Sequence, residues 1–352
     1  MRKVVFIFSF CLIFILAYTQ EDKVGQTKPL NKNSGRVLKL KEIMRITDEQ
    51  GGFYFRYPYE MHIDSEGSIY IMDHNQLLRF NEKGKLLNNY YRKGQGPGEL
   101  ISIKNYILNK NHIIVYDYLL NKFIWFDKNG PCVKEYRLPI KFFSGILLLF
   151  KNNKYYFIKY SIPAARGTTQ QLYNLVELSY DGNIYKHLIR FTVKYYVEDI
   201  NGNGRRGYKI GRFISKIYQK RYLIVSHTSE YLIKIYDFEK NCISKIFSRK
   251  YERVKFKKKP HRNQYKNPPK IRYENDIKDI FTFKDKIWVV TSTENINKEI
   301  LIDTFNFEGN YLDNFYLNLK GSILATHKNY VFVRERDKYD NAVIVKYMFT
   351  DI

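Results

Sequence analysis

Three stretches of the chain, and its scattered histidines, carry residue types that could do chemistry. Asp199-Ile200-Asn201-Gly202-Asn203-Gly204 opens like a calcium loop, in which oxygen ligands alternate and a glycine makes the sharp bend. The pattern then departs, because the twelfth position in that register is Ile210 rather than a bidentate Glu, and Arg205 and Arg206 would repel a cation. Calcium at Asp199, Asn201 and Asn203 is thus set against an exposed Asn-Gly turn. Gly94-Gln95-Gly96-Pro97-Gly98-Glu99 could cradle a phosphate through converging N–H groups. It lacks the Lys-Ser/Thr end of a phosphate loop and no helix follows, so the expected role is structural: glycines at positive φ, Pro97 fixing a turn, Glu99 accepting bonds from loop amides. The seven histidines show no ligand spacing, so no metal is expected, and no nucleophile triad or carboxylate pair has a local signature. The third stretch, Arg249 to Arg272, holds eleven Lys and Arg against Glu252 alone, a net of +10. Lys257, Lys258, Lys259 and Arg262 are its centre, and with Pro268 and Pro269 it reads as a solvated loop.

The elements that must carry these stretches repeat. Ile69 to Asp73, a turn, Leu77 to Phe80 and Asn81-Glu-Lys-Gly84 recur as Ile113 to Asp117, a turn, Phe123 to Phe126 and Asp127-Lys-Asn-Gly130. Each copy reads as short strands joined by tight hairpins. Further hairpins follow at 178–182, 236–240 and 305–309, and further apolar second strands at 155–160, 222–227, 287–292 and 330–335. Six second strands but five outer hairpins leave the last unit one strand short. The alternating segment 36–43, with no neighbouring partner, is expected to supply it and close the ring.

This layout, with Gly-Gln-Gly-Pro-Gly-Glu between the first two units, resembles the six-bladed β-propeller family of exported bacterial proteins related to NHL-repeat propellers. The resemblance implies an all-β disc over residues 36–352. It brings no common reaction. Some NHL-type propellers hold zinc in the central channel, and His62 and His327 fall near innermost strands, which is the basis of an alternative reading as a channel-centred hydrolase or lyase. Many relatives carry a lipoprotein cysteine just after the signal; here Cys11 lies inside the apolar run, so no clear lipid attachment site is seen.

Composition bounds the partners. Net charge is +25 over 352 residues, which favours anionic ligands or a membrane surface, or reflects coding bias alone. Arg2 and Lys3, an apolar run from Val4 to Leu16 and a small-residue exit read as a signal over 1–19, too short to span a bilayer comfortably. Residues 20–35 read as a flexible polar leader. Export sets nucleic acid aside as a partner. Cys132 and Cys242 fall on outer strands of non-adjacent blades and are expected as free thiols.

In this layout the basic stretch, a loop at 193–210 with Arg205 and Arg206, and the Gly94 to Glu99 connector all join an outer strand to the next innermost one. They should share a face with the turns bearing His74, Tyr118 and His227. The expectation is a monomeric, exported, non-enzymatic propeller binding an anionic glycan, peptide or envelope protein on that face.

Overall fold

The computed structural model describes residues 22–138, 145–161, 167–180, 185–199, 205–209, 211–256 and 272–350; side chains at 50, 167, 168, 196, 198, 199 and 205–209 are excepted. The strands form six antiparallel meanders. Blade one is Glu60–Ile63, Ile69–Asp73, Gln76–Phe80 and Leu86–Asn89; blade two is Ile103–Asn109, His112–Asp117, Lys122–Asp127 and Cys132–Arg137. Blade three runs Gly145–Lys151, Lys154–Tyr160, Gly167–Ser179 and Tyr185–Asp199, with Arg205–Lys209 as a fifth strand. Blade four is Phe213–Tyr218, Tyr222–His227, Ile233–Asp237 and Cys242–Arg249; blade five is Ile277–Phe283, Lys286–Glu294, Ile300–Phe305 and Tyr311–Leu317. Blade six has Ser322–His327, Tyr330–Arg336 and Ala342–Phe349, and takes Leu40–Ile46 as its outer strand. Each innermost strand touches the next around the ring, and that of blade six meets that of blade one.

The apolar interior divides into six clusters, each shared by two adjacent blades. A second strand therefore has two buried faces. In blade one Ile69 and Ile71 pack toward blade six while Tyr70 and Met72 pack toward blade two. Burial on both sides explains why these strands read as unbroken apolar runs rather than as alternation. Between first and second strands, Asn152-Asn153, Gln219-Lys220 and Lys284-Asp285 take positive φ at both positions, the two-residue turn whose twist matches the flanking strands.

Three expectations change. The segment 36–43 is split: Arg36–Leu38 pairs parallel with the outer strand of blade five, the chain steps across at Lys39, and Leu40–Ile46 completes blade six. Residues 20–35 are not a loose leader from Lys23 on. Lys23–Gln26 pairs parallel with the outer strand of blade four, and the amides of Leu30, Asn31 and Gly35 donate to carbonyls of 311–314 in blade five. Backbone bonding, which leaves no apolar pattern in the sequence, holds this strap. Gln26, whose backbone pairs with blade four, reaches blade five with its side chain, donating to the Gly309 carbonyl (2.8 Å) and accepting from the Tyr311 amide (2.9 Å). Third, the described parts of 193–210 are strand rather than loop: 193–199 belongs to blade three's long fourth strand and 205–209 is its fifth, with Asp199 paired opposite Arg205. The signal at 1–19 lies outside the described residues. Cys132 and Cys242 are free and sit on the outer strands of blades two and four.

Candidate ligand-binding face

The meander fixes which loops share a face. Every second strand ends, and every innermost strand begins, on one side of the disc, called here the upper face. It carries the connection at 47–59 that leads into blade one, the Gly94 to Glu99 connector and the connection after Arg249, together with the turns after Asp73, Asp117 and His227.

The structure puts His74, Tyr118 and His227 on this face as expected, but in blades one, two and four rather than in one cluster. His74 is exposed at φ 48°. Tyr118 is half-buried with Lys104 Nζ 5.8 Å from its ring centre. His227 lines a small cleft against Phe191 and Val193 of blade three's long strand, and its Nδ1 lies 2.8 Å from Ser229 Oγ. Burial pushes its pKa below the ordinary value, against the pull of Glu230. Arg205 and Arg206 fall on the fifth strand of blade three. Lys257, Lys258, Lys259 and Arg262 lie outside the described residues, as do Asn201 and Asn203; Asp199 ends a strand.

Several carboxylates on this face are engaged by the protein itself. Asp73, fully buried, accepts the amides of Arg56 (2.5 Å) and Tyr57 (2.8 Å). Asp117 accepts those of Ile101 and Ser102 in the same way, and Thr228 Oγ1 accepts that of Arg212 at 2.7 Å. The residue ending a second strand, or in blade four the one after it, thus clasps the segment entering its own blade. Asp276 pairs with Arg253 (2.8 Å), Asp279 with Arg212 (3.3 Å) and Glu230 with Lys194 (3.0 Å). Among the described residues no three His, Cys, Asp or Glu come together as a metal site. His62 lies beside Glu60 (3.4 Å) and Tyr106, facing blade two, whereas His327 ends the innermost strand of blade six, its Nε2 buried without a partner.

The Gly94 to Glu99 connector spends its amides internally. Gly94 N donates to the Leu100 carbonyl (3.1 Å), Gly96 N to Glu99 Oε2 (2.8 Å) and Gly98 N to Glu135 Oε2 (3.2 Å). Glu135 is in turn held by the fully buried Lys122 ammonium at 2.8 Å, which keeps its carboxyl below the usual range despite burial. Glu99 plays the part expected of it, and no amide of these three glycines is left for a phosphate. Of the three, Gly98 alone takes positive φ (72°); at Gly94 the Glu99 carboxylate occupies the space a Cβ would need, and at Gly96 it would lie 3.1 Å from one. At Gly98 a Cβ would also lie 2.7 Å from Cys132 Cβ. Gly98→Ala is therefore expected to cost about 2–3 kcal/mol, seen as a lower urea midpoint; a neutral result would mean that the connector shifts freely.

Sequence reasoning missed the aromatic loop at 53–59. Phe53 and Phe55 are buried between blades six and one, while Tyr54, Tyr57 and Tyr59 are 54%, 55% and 42% exposed. Arg334 from blade six stacks on Tyr57 at 3.8 Å and donates to its hydroxyl (3.0 Å) and to the Pro58 carbonyl (2.9 Å). The run Phe-Tyr-Phe-Arg-Tyr-Pro-Tyr held the signal, but in a chain with 32 tyrosines nothing distinguished an outward ring from a core ring.

Residues 53–259 match the DUF5128 family, described as a 6-bladed beta-propeller. Among solved structures the chain is similar to an exported protein from Bacteroides fragilis NCTC 9343, at 14% identity over 94% of this chain and 100% of that one, TM-score 0.58. It is also similar to a member of the DUF4221 family from Bacteroides vulgatus ATCC 8482, at 11% identity over 90% and 99% of the two chains, TM-score 0.59. At such identities the likeness concerns the fold. None of the curated proteins matches the sequence. With its match running from the loop before blade one into the connection after blade four, the chain belongs to the DUF5128 family of six-bladed β-propellers.

Proposed function

We propose that the protein is an exported, non-enzymatic binding propeller that takes an anionic ligand, a glycan, peptide or envelope protein, on its upper face. The distribution of exposed apolar side chains carries this reading. Tyr54, Tyr57, Tyr59, Leu119, Ile296 and Tyr339 stand out on upper-face loops, whereas among the described residues outside strands only Tyr180, on a turn, and Leu30, in the strap beside Tyr311, do so toward the opposite face. Such one-sided exposure marks an interaction surface, and the stretch from Arg249 to Arg272, net +10, joins two blades on that side. Export is supported by the basic and apolar amino terminus, and the B. fragilis protein of the same fold is described as exported.

The test uses dextran sulfate as the anionic probe. Binding to the mature chain should weaken steeply with salt and survive chelators. Replacing Lys257, Lys258, Lys259 and Arg262 together by alanine should weaken it about tenfold or more, from a few tenths to one kcal/mol per exposed charge. An unchanged affinity in that variant would remove the basic stretch from the proposal.

A further inference from the structure

We propose that the loop at 53–59, with Arg334 beside it, is a stacking platform for a glycan bearing carboxylates; this rests on the upper-face reading above and gives its ligand class. Three observations carry it. The first is that the outward rings are not surplus from the core. The same loop buries Phe53 and Phe55, whose rings meet each other and Phe53 meets Phe80 at 5.0 Å, while Tyr54, Tyr57 and Tyr59 are turned to solvent.

The second is rigidity. Asp73 holds the amides of Arg56 and Tyr57, Tyr59 N donates to the Met72 carbonyl (3.0 Å), and Gln76 Nε2 donates to the Tyr54 carbonyl (2.6 Å). Pro58 is buried and its carbonyl takes Arg334. Asp73 and Gln76 flank His74, so the turn bearing that residue is tied to the same loop. Rings fixed before binding lose little freedom when a ligand arrives.

The third is what remains free. The backbone groups named above are consumed within the protein, so an extended peptide could not add to this loop as a strand. Solvent meets ring faces, phenol hydroxyls and two guanidinium groups. Flat rings with negative faces suit the C–H faces of pyranose sugars. Arg334, stacked and with N–H groups to spare, and Arg56, exposed and without an ion pair among the described residues, offer the paired donors that match a carboxylate. These donors and rings favour a uronate-bearing polysaccharide over a peptide.

Calorimetric titration of the full mature chain with polygalacturonate, alginate and hyaluronate, with neutral dextran as control, tests this. At least one uronate glycan should bind and dextran should not. Tyr57→Ala should weaken that binding by roughly tenfold or more, as expected for loss of a stacked ring. Tyr57→Phe should retain most of it, and Arg56→Ala, which breaks no internal bond, should weaken it by a smaller factor. An unchanged thermal midpoint in Tyr57→Ala would show that the fold is intact; if the midpoint falls, Tyr54→Ala and Arg56→Ala decide. If dextran sulfate binds and no uronate glycan does, or if uronate binding ignores Tyr57, Tyr54 and Arg56 and follows only Lys257 to Arg262, the platform is wrong while the upper-face reading stands. If neither kind of polyanion binds, both fall.

Discussion

Asp303→Ala is expected to destabilise the protein by about 3–5 kcal/mol, because it leaves a buried guanidinium without its counter-charge. Asp303 is fully buried on the third strand of blade five, and Arg249, 13% exposed, ends the outer strand of blade four. Asp303 Oδ2 accepts from Arg249 Nε and from the Tyr231 hydroxyl, both at 2.6 Å, while Oδ1 accepts from the Tyr311 hydroxyl at 2.7 Å. The guanidinium carbon lies 5.3, 4.9 and 5.8 Å from the ring centres of Tyr231, Tyr251 and Tyr311. Burial works against the charge on Arg249, yet Asp303 outweighs it and holds the guanidinium above its usual pKa. Burial, and then the same carboxylate, push the Tyr231 phenol well above its ordinary value.

Without Asp303, one cation and two phenols lose their acceptor inside an aromatic enclosure. Stabilities of ordinary domains lie around 5–15 kcal/mol, so the loss is a large fraction of the whole. The measurement is the urea midpoint at unchanged slope. Asp303→Leu combined with Arg249→Met should be less destabilised than Asp303→Ala, since removing both charges leaves nothing uncompensated. A loss below about 1 kcal/mol would mean that water reaches Arg249 and takes over the carboxylate's role. The cluster also anchors the root of the basic stretch, which begins at Arg249, so the same carboxylate that joins blades four and five fixes where that stretch leaves the disc.

What the sequence made legible was whatever double-sided burial or tight turns dictate. Ile69 to Asp73 and its five counterparts appear as apolar runs because each lies between two blades, and Gly84 and Gly309 mark hairpins where φ is positive, 81° and 78°. The strap was hidden because Lys23, Gly25 and Gln26 contribute through bonds rather than apolar burial: Gly25 N donates to Ser248 Oγ at 2.9 Å, and Gln26 spans two blades. Polar residues with turn character gave no periodicity to detect. Blade three's long strands were partly hidden for the same reason, since Gly167-Thr-Thr-Gln-Gln171 lies opposite Val193 to Val197 with little apolar alternation of its own. The face was legible through topology alone, because a four-stranded meander sends second-strand ends and inter-blade connections to the same side. The aromatic platform on it was not, since the direction of each ring depends on Asp73 and Arg334, which are remote in sequence from the rings they orient.

A chain beginning at Gly51 is expected not to yield a soluble monomer. It would lack Leu40–Ile46, the outer strand of blade six, and with it the register Ile344↔Ile46 through Phe349↔Leu40. The Ala342–Phe349 strand would then present an open edge, and Leu38 and Ile46, both buried in the clusters flanking blade six, would leave cavities behind. The loss extends further than one blade. The outer strands of blades four and five would be uncovered as Lys23–Gln26 and Arg36–Leu38 disappear, along with the Arg36–Asp313 pair at 2.9 Å. Three adjacent blades would lose their outermost pairing at once. Since each blade buries its faces only against its neighbours, the ring should fail as a unit rather than fray at one end. Size-exclusion chromatography of the shortened chain should show aggregate. Adding a synthetic peptide of residues 22–50 during refolding should restore a fraction of monomer-sized complex, because the missing strands pair from outside the ring without threading through it. A shortened chain that remained monomeric, with an unchanged thermal midpoint, would show that blade six does not need the amino-terminal strand to close the disc.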